Sequence, residues 1–318
     1  MKYVCLCVVA LSTLSLMAQI PPEPSPLGSL IDIGGRRIHL HCTGSGSPTV
    51  VVENGDDAFS IDWALVQPGV SRFTRICTYD RAGYAWSDPG PITDMVDEIS
   101  GDLRLVLQTA KIMPPYVLVG ASMGGAYIRA YQRRNPEQVV GMVFVDATHD
   151  EGIEYEIDGK SKPISLVTAD ELRSFMTRLL ARNPPPPKAP TKVLSPFDRL
   201  PEHLQSARVW ALAKMFSNED LKDAPYVGEA MREEFVALKK QRLQREPALR
   251  DLPLIVLARG KNTNDTKKRM QTELASLSRV GKLIIADQSD HEIHLYQPDV
   301  VVQAIKSVMD ASTKRTSK

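Results

Sequence analysis

The chain has 318 residues, of which 43% are hydrophobic, and this is enough for one large α/β domain with an inserted cap. A chain of this composition is not disordered throughout. The formal net charge is only +1, so no broad field attracts phosphate backbones or anionic membranes, and nucleic-acid binding is disfavoured.

The first residues, MKYVCLCVVALSTLSLMAQ, predict a signal peptide over residues 1–18. A lysine precedes an apolar stretch at residues 3–17, and the small residue Ala18 lies shortly before the Pro-rich PPEPSP. The apolar stretch is shorter than the roughly 20 residues of a membrane-spanning helix, so stable membrane insertion is not expected. We expect a secreted or periplasmic protein. Two cysteines remain after cleavage, Cys42 and Cys77, and their spacing favours neither a disulfide nor two buried thiols.

Residues 29–154 alternate between strand and helix periodicity, which predicts parallel βαβ units after an initial hairpin. The predicted strands are RRIHLHC, PTVVVEN, TRICTYD, YVLVG and VVGMVFVD. The stretch TGSGS leads into a strand and therefore predicts a hairpin turn rather than a dinucleotide-binding loop. His39 and His41 share one face of the first of these strands, which is more typical of a solvated hairpin face than of a metal pair. The order of elements is that of an α/β sheet.

Residues 150–250 have a different pattern and predict an inserted helical cap. No run of β-branched residues appears there, the Pro-rich NPPPPKAP interrupts the segment, and HLQSARVWALAKMF and GEAMREEFVALKKQRLQ are amphipathic. The α/β pattern resumes with the strands LPLIVLARG and GKLIIAD and the helix DVVVQAIKSVMDA. We therefore assign residues 19–149 and 251–318 to the two parts of one core domain.

The strongest local signal is GASMG, residues 120–124, which follows the strand YVLVG and precedes a predicted helix. A serine on a tight strand-to-helix turn takes strained backbone angles, and glycines on either side of it avoid collisions. Such a turn exposes the Ser122 oxygen at the carboxyl edge of the sheet and directs the Met123 N–H toward a developing oxyanion. We predict that Ser122 is a nucleophile; the alternative is an ordinary βα turn.

A serine hydroxyl needs a base within hydrogen-bond reach, and the base needs an acid to orient it. We predict His291 as the base because it lies just after the last strand, whereas its competitor His294 is interpreted as a packing residue. Two carboxylates compete for the role of the acid. We prefer Asp146, which ends the strand GMVFVD and is held by the sheet, over Asp265, which lies in the polar loop RGKNTND.

Three stretches together resemble one family. YDRAGYAWSDPGP at residues 79–91, GASMG and DQSDHEIHLYQP are similar to the Ser-nucleophile, esterase-like members of the α/β-hydrolase superfamily, and the resemblance runs over about residues 30–311 apart from the cap. It implies an α/β-hydrolase fold with a mostly parallel eight-stranded sheet whose second strand is antiparallel. It also implies a hydrolytic triad that needs no cofactor and no metal.

The resemblance carries further expectations for individual residues. In this family the loop after the third strand supplies a second oxyanion-binding N–H, and here that loop is ENGDD, so the donor is the amide of Asp56 beside Gly55. The side chains of Asp56 and Asp57 should point away, because a carboxylate close to an oxyanion is unfavourable. The second and fourth strands are neighbours in the family's sheet, which would place Cys42 beside Cys77 and favours a disulfide.

The chain departs from the family at the usual position of the acid, after the seventh strand, where residues 260–263 offer no carboxylate. Some members place the acid after the sixth strand, so the departure supports Asp146. Asp80 and Arg81, within YDRAG, are expected to form a structural ion pair and turn rather than to act as catalytic groups.

The predicted function is that of a serine hydrolase of the carboxylesterase kind, which cleaves a small ester or related acyl bond through an acyl-enzyme. The expected partner is a small-molecule acyl substrate. An acyltransferase or perhydrolase would use the same triad and differ only in the molecule that attacks the acyl-enzyme. A non-catalytic ligand-binding protein on the same fold is the alternative from another class, and the full set of Ser122, His291 and an acid argues against it. Haloalkane dehalogenases and epoxide hydrolases attack with a carboxylate, so the serine disfavours both.

Overall fold

The computed structural model describes residues 21–90, 95–182, 191–216, 224–246 and 248–316. The predicted signal peptide lies outside the described residues and stays a prediction. No helix in the described part of the chain combines the length and the apolar character that are needed to cross a bilayer.

The core is an eight-stranded sheet flanked by helices. Its strands are β1 (Ser29–Asp32), β2 (Arg37–Thr43), β3 (Thr49–Glu53), β4 (Ile76–Tyr79), β5 (Tyr116–Ala121), β6 (Val139–Val145), β9 (Leu254–Arg259) and β10 (Lys282–Ala286). The core helices are α1 (Gln67–Val70), α2 (Met95–Thr109), α3 (Gly124–Arg134), α7 (Asp265–Ala275), α8 (Ile293–Tyr296) and α9 (Pro298–Thr316).

The strand order is β1-β2-β4-β3-β5-β6-β9-β10. Strand β2 is antiparallel to both of its neighbours, β1 and β4, and the six strands β4-β3-β5-β6-β9-β10 run parallel to one another. This confirms the mostly parallel sheet with an antiparallel second strand. The register pairs Cys42 on β2 with Cys77 on β4, and the two form a disulfide with a Cα–Cα distance of 4.1 Å.

The prediction that TGSGS is a hairpin turn is wrong. It joins β2 to β3, and β4 lies between these two strands, so the turn crosses the end of β4 instead of linking neighbours. Gly44 adopts a φ of +74°, and a Cβ there would lie 2.4 Å from the Thr74 carbonyl oxygen. The hairpin is instead that of β1 and β2, where Asp32 accepts hydrogen bonds from the N–H groups of Gly34 and Gly35.

The central strands are buried on both faces, which explains their continuous apolar sequence. Along β3, Val51 packs with residues of α2 and α3, whereas Val50 and Val52 belong to the cluster that contains residues of α1 and α9. All six residues of β5 are buried. The strand that carries the GASMG turn is therefore fixed from both sides.

The predicted cap segment contains helices, as expected, together with a hairpin that the sequence pattern did not indicate. Its helices are α4 (Ala169–Ala181), α5 (Glu202–Phe216) and α6 (Ala224–Arg242), and its strands are β7 (Glu154–Ile157) and β8 (Lys160–Pro163), which pair antiparallel. The hairpin strands have four residues each, and half of these residues are exposed, so the strands lack the apolar run that would have identified them. Helix α5 packs on the loops after β3 and β4 and on α8.

Candidate active site

The GASMG turn has the geometry that its glycines predict. Ser122 sits between β5 and α3 with a φ of +51°, a left-handed conformation that strains a residue with a side chain. Its N–H donates to the Val145 carbonyl at 3.1 Å. A Cβ on Gly120 would lie 2.6 Å from the Gly124 carbonyl oxygen, and one on Gly124 would lie 2.2 Å from that of Glu53. Helix α3 begins at Gly124, two residues after the serine, so its N-terminus lies next to Ser122 in the chain.

Asp146 and His291 are in contact. Asp146 follows β6 in a left-handed conformation, with a φ of +43°, and its N–H donates to the Leu257 carbonyl at 2.7 Å. Its Oδ2 lies 2.6 Å from Nδ1 of His291, which precedes α8. The competing carboxylate, Asp265, is the first residue of α7; its side chain is fully exposed and lies 3.9 Å from that of Lys268. The structure thus brings Asp146, and not Asp265, to His291.

The loop after β3 lies against the serine. A Cβ on Gly55 would be 2.8 Å from the Ser122 Cβ, so only glycine permits this approach. The neighbouring Asp56 carboxylate is half exposed and lies 3.6 Å from the Arg81 guanidinium, which offsets its negative charge. Met123, the residue before α3, is buried. The amides that were predicted to bind an oxyanion therefore belong to two segments that meet at Ser122.

Comparison with known proteins identifies the fold family. A model of the alpha/beta hydrolase family matches residues 38–304. The chain belongs to the alpha/beta hydrolase family. Membership of this family supports a hydrolase activity.

Individual relatives match over different lengths. The α/β hydrolase is 37% identical to a probable transporter of Hormonema carpetanum over 127 residues, which cover 37% of this chain and 18% of that protein, so the chain spans less than a fifth of that relative. It is 23% identical to the uncharacterized protein YqjL of Bacillus subtilis over 291 residues, 90% of this chain and 93% of the relative. It is 27% identical to a 2-hydroxymuconate semialdehyde hydrolase of a Pseudomonas species over 127 residues, 39% of this chain and 45% of the relative.

Solved structures share the fold at low sequence identity. An enol-lactonase of Burkholderia xenovorans superposes with a TM-score of 0.60 at 16% identity, covering 89% of this chain and 100% of that chain. An esterase of Thermogutta terrifontis has a TM-score of 0.59 at 20% identity, covering 87% and 94%. A meta-cleavage product hydrolase of Pseudomonas fluorescens has a TM-score of 0.59 at 14% identity, covering 89% and 98%.

An arginine that the sequence pattern did not indicate binds the carboxylate of Asp146. Arg259 is the last residue of β9, and its Nε donates to Asp146 Oδ2 at 2.6 Å while its backbone N–H donates to Oδ1 at 3.2 Å. A terminal nitrogen of the same guanidinium lies 2.7 Å from Nδ1 of His291, and the other donates to Asp290 at 3.0 Å. Burial alone would raise the pKa of Asp146, but hydrogen bonds from His291 and Arg259 outweigh it and hold that pKa below its ordinary value.

Asp80 and Arg81 do not pair with each other, so the ion pair in that expectation is wrong, whereas the turn is present, since the Tyr84 N–H donates to the Arg81 carbonyl at 2.9 Å. The Asp80 carboxylate accepts from Nδ1 of His39 at 2.7 Å, and both side chains are fully buried. The prediction of a solvated face is therefore also wrong for His39. Its other ring nitrogen accepts from the Gly28 N–H at 3.0 Å, because the segment before β1 folds over β2. Arg81 instead binds Glu53 at 3.1 Å.

His294 is a packing residue, as its interpretation required. Its ring stacks on Trp63 with the ring centroids 4.8 Å apart, and neither ring nitrogen has a hydrogen-bond partner among the described residues. Burial lowers the pKa of His294 to about 4, since a buried imidazolium loses its hydration. The imidazole is therefore neutral in the folded protein at neutral pH.

We expect His294 to make the fold acid-sensitive. Between pH 6.5 and 4 the unfolded chain binds a proton at this site and the folded chain does not, so its contribution to stability falls as the pH falls, by about 3 kcal/mol in total. Replacing His294 with phenylalanine should remove this loss. The measurement is the free energy of unfolding in urea at pH 7 and pH 4.5 for the wild type and the variant.

A second buried group, Asp62, also changes the pH dependence of stability, so the wild type alone does not isolate the effect of His294. Burial raises the pKa of Asp62 to about 6, and this shift acts with the opposite sign over an overlapping pH range. The informative quantity is therefore the difference between variant and wild type at each pH. His203→Phe, at an exposed position on α5, serves as the control and should keep the wild-type pH dependence. An equal pH dependence in His294→Phe would contradict the expectation.

Proposed function

We propose that this α/β hydrolase is a serine hydrolase that cleaves a small ester or related acyl bond through an acyl-enzyme on Ser122. The observation that carries the proposal is the contact of His291 Nδ1 with Asp146 Oδ2 at 2.6 Å. When Nδ1 carries the hydrogen and donates it to the carboxylate, Nε2 is the ring nitrogen with a lone pair for the serine hydroxyl.

The chemistry then follows from the assigned roles. Ser122 Oγ attacks the acyl carbon while His291 Nε2 takes its proton, and the negative charge that forms on the acyl oxygen is held by the amides of Met123 and Asp56. His291 gives the proton to the leaving alcohol, which departs. A water molecule attacks the acyl-enzyme with His291 again as base, and collapse of the second oxyanion returns Ser122 and releases the carboxylic acid.

The names of the solved relatives support an ester or a lactone as the scissile group, since an enol-lactonase and an esterase share the fold. A second candidate substrate is a meta-cleavage product, because one relative by sequence and one by fold are hydrolases named for such compounds or for 2-hydroxymuconate semialdehyde. Both candidates use Ser122 and His291, so they differ in substrate and not in the machinery proposed here.

Covalent labelling tests the nucleophile. We expect a fluorophosphonate probe to modify the wild-type protein at one site and Ser122→Ala not at all, because the probe reacts with an activated serine. Ser276→Ala removes an exposed serine and should be labelled like the wild type. Labelling of Ser122→Ala would reject Ser122 as the nucleophile. A series of p-nitrophenyl esters of increasing chain length, assayed on the same preparations, then defines the length of the acyl group that the enzyme accepts.

A further inference from the structure

We propose that Arg81 is a positioning residue that aims the oxyanion-binding amides at Ser122, a role that rests on the function proposed above. Arg81 is only 6% exposed, and its guanidinium donates to two consecutive backbone carbonyls of the loop after β3. One terminal nitrogen donates to the Asn54 carbonyl at 2.6 Å, and the other donates to the Gly55 carbonyl at 2.8 Å.

The planarity of the peptide group converts these two bonds into an orientation of the N–H groups. In a trans peptide the C=O and the following N–H point in opposite directions. Because the Gly55 carbonyl points at Arg81, the Asp56 N–H points away from Arg81, and the Asn54 carbonyl fixes the Gly55 N–H in the same way. The loop approaches Ser122 so closely that a Cβ on Gly55 would lie 2.8 Å from the serine Cβ. The side turned away from Arg81 is, in this proposal, the side on which the oxyanion forms.

The guanidinium is itself held on several sides. Glu53, which is 1% exposed, accepts from it at 3.1 Å, and the Tyr79 hydroxyl donates to the second oxygen of this carboxylate. The rings of Tyr84 and Tyr127 lie 4.6 and 5.3 Å from the guanidinium carbon, in the range of cation–π contacts. The two donor nitrogens of Arg81 are therefore held in fixed positions, and fixed donors are required to fix the orientation of two peptide planes.

The loop would otherwise be free to turn. Glycine adopts backbone angles that other residues avoid, so the peptide between Gly55 and Asp56 can rotate at small conformational cost. A rotation would replace the Asp56 N–H with the Gly55 carbonyl oxygen, which repels an oxyanion. At the other end of the loop, the Asp57 carbonyl accepts from Arg208 of the cap helix α5 at 2.9 Å. The two arginines restrain the loop from the core and from the cap.

Substitution of Arg81 tests the role. We expect Arg81→Gln to lower kcat for a p-nitrophenyl ester by about 10²-fold with KM nearly unchanged, because only the transition state carries the oxyanion. The affinity for an alkyl boronic acid, which forms a tetrahedral adduct with the serine, should fall by a similar factor. Arg81→Lys, which can reach one carbonyl but not both, should be intermediate.

The control separates positioning from stability. Arg129 is fully buried and binds Gln241 and the Leu238 carbonyl, far along the chain from this loop. Arg129→Gln should lower the melting temperature but leave kcat and boronate affinity per active site unchanged, with the sites counted by fluorophosphonate end-point labelling. If Arg81→Gln does not fold, the kinetics of Arg81→Lys decide.

The outcomes distinguish the two proposals. Turnover or labelling that persists in Ser122→Ala rejects the serine mechanism itself. Wild-type protein that is labelled at Ser122, together with Arg81 variants of unchanged boronate affinity per site, overturns the role of Arg81 and leaves the proposed function standing.

Discussion

Replacing His291 with alanine is expected to lower kcat/KM by about 10⁴-fold or more, the loss typical for removal of a member of a Ser-His-acid triad. The serine hydroxyl then has no base to accept its proton as it attacks, and the leaving alcohol has no acid to protonate it. The loss should appear in kcat, since the imidazole acts on the reacting atoms and not on the rest of the substrate. Steady-state kinetics on a p-nitrophenyl ester give the measurement.

The neighbouring histidine makes this experiment decisive. His294→Ala removes a ring that stacks on Trp63 in the interior, so it should lower the melting temperature and leave kcat per labelled active site close to that of the wild type. His203→Ala, on the exposed face of α5, should change neither quantity. Retention of more than a tenth of wild-type activity in His291→Ala, with the loss in His294→Ala instead, would transfer the role of base to His294.

The sequence predicts those parts of the fold in which the local pattern of apolar residues indicates which side chains are buried. Strands β3 and β5 are covered on both faces, so β3 has the apolar run VVV at its centre and β5 is YVLVGA, and the glycines at positions 120 and 124 mark the turn that follows β5. The hairpin of β7 and β8 is short, and although EYEI in β7 alternates polar and apolar residues, four residues are too few to indicate a strand and KSKP in β8 has no apolar residue except its proline. The connection at Gly44 was misinterpreted because a turn sequence does not state which strand lies next to which.

The parts of the site that the sequence did not predict depend on partners that are distant in the chain. Ser122 is marked by its own neighbours, but Arg259 acts on Asp146, 113 positions earlier, and nothing near the end of β9 indicates that contact. Arg81 belongs to the motif YDRAG, yet its partners are the carbonyls of Asn54 and Gly55, which any residue type could present. Because every residue has a backbone carbonyl, a sequence pattern does not indicate which carbonyls act as acceptors.

The choice between the two carboxylates gives the second large effect. We expect Asp146→Asn to lower kcat/KM by about 10³- to 10⁴-fold, because the amide cannot hold the imidazole in the required tautomer or stabilise its cation. The same change leaves the Arg259 guanidinium facing a neutral group at the position where it now binds a carboxylate oxygen at 2.6 Å. Asp265→Asn, at a fully exposed carboxylate, should change kcat/KM by less than about twofold.

Stability and chemistry can be separated in this comparison. Asp146→Asn breaks a partly buried ion pair, so its melting temperature should fall, and activity is therefore expressed per folded molecule, with the folded fraction taken from circular dichroism, and measured well below the melting temperature. Arg259→Gln supplies the matched case in which the carboxylate stays and its cation is lost. If Asp146 orients His291, Arg259→Gln should retain far more activity per folded molecule than Asp146→Asn, because the carboxylate still accepts from Nδ1. A large loss in Asp265→Asn with little loss in Asp146→Asn would instead assign the acid to α7, which would require that helix to move its first residue to His291.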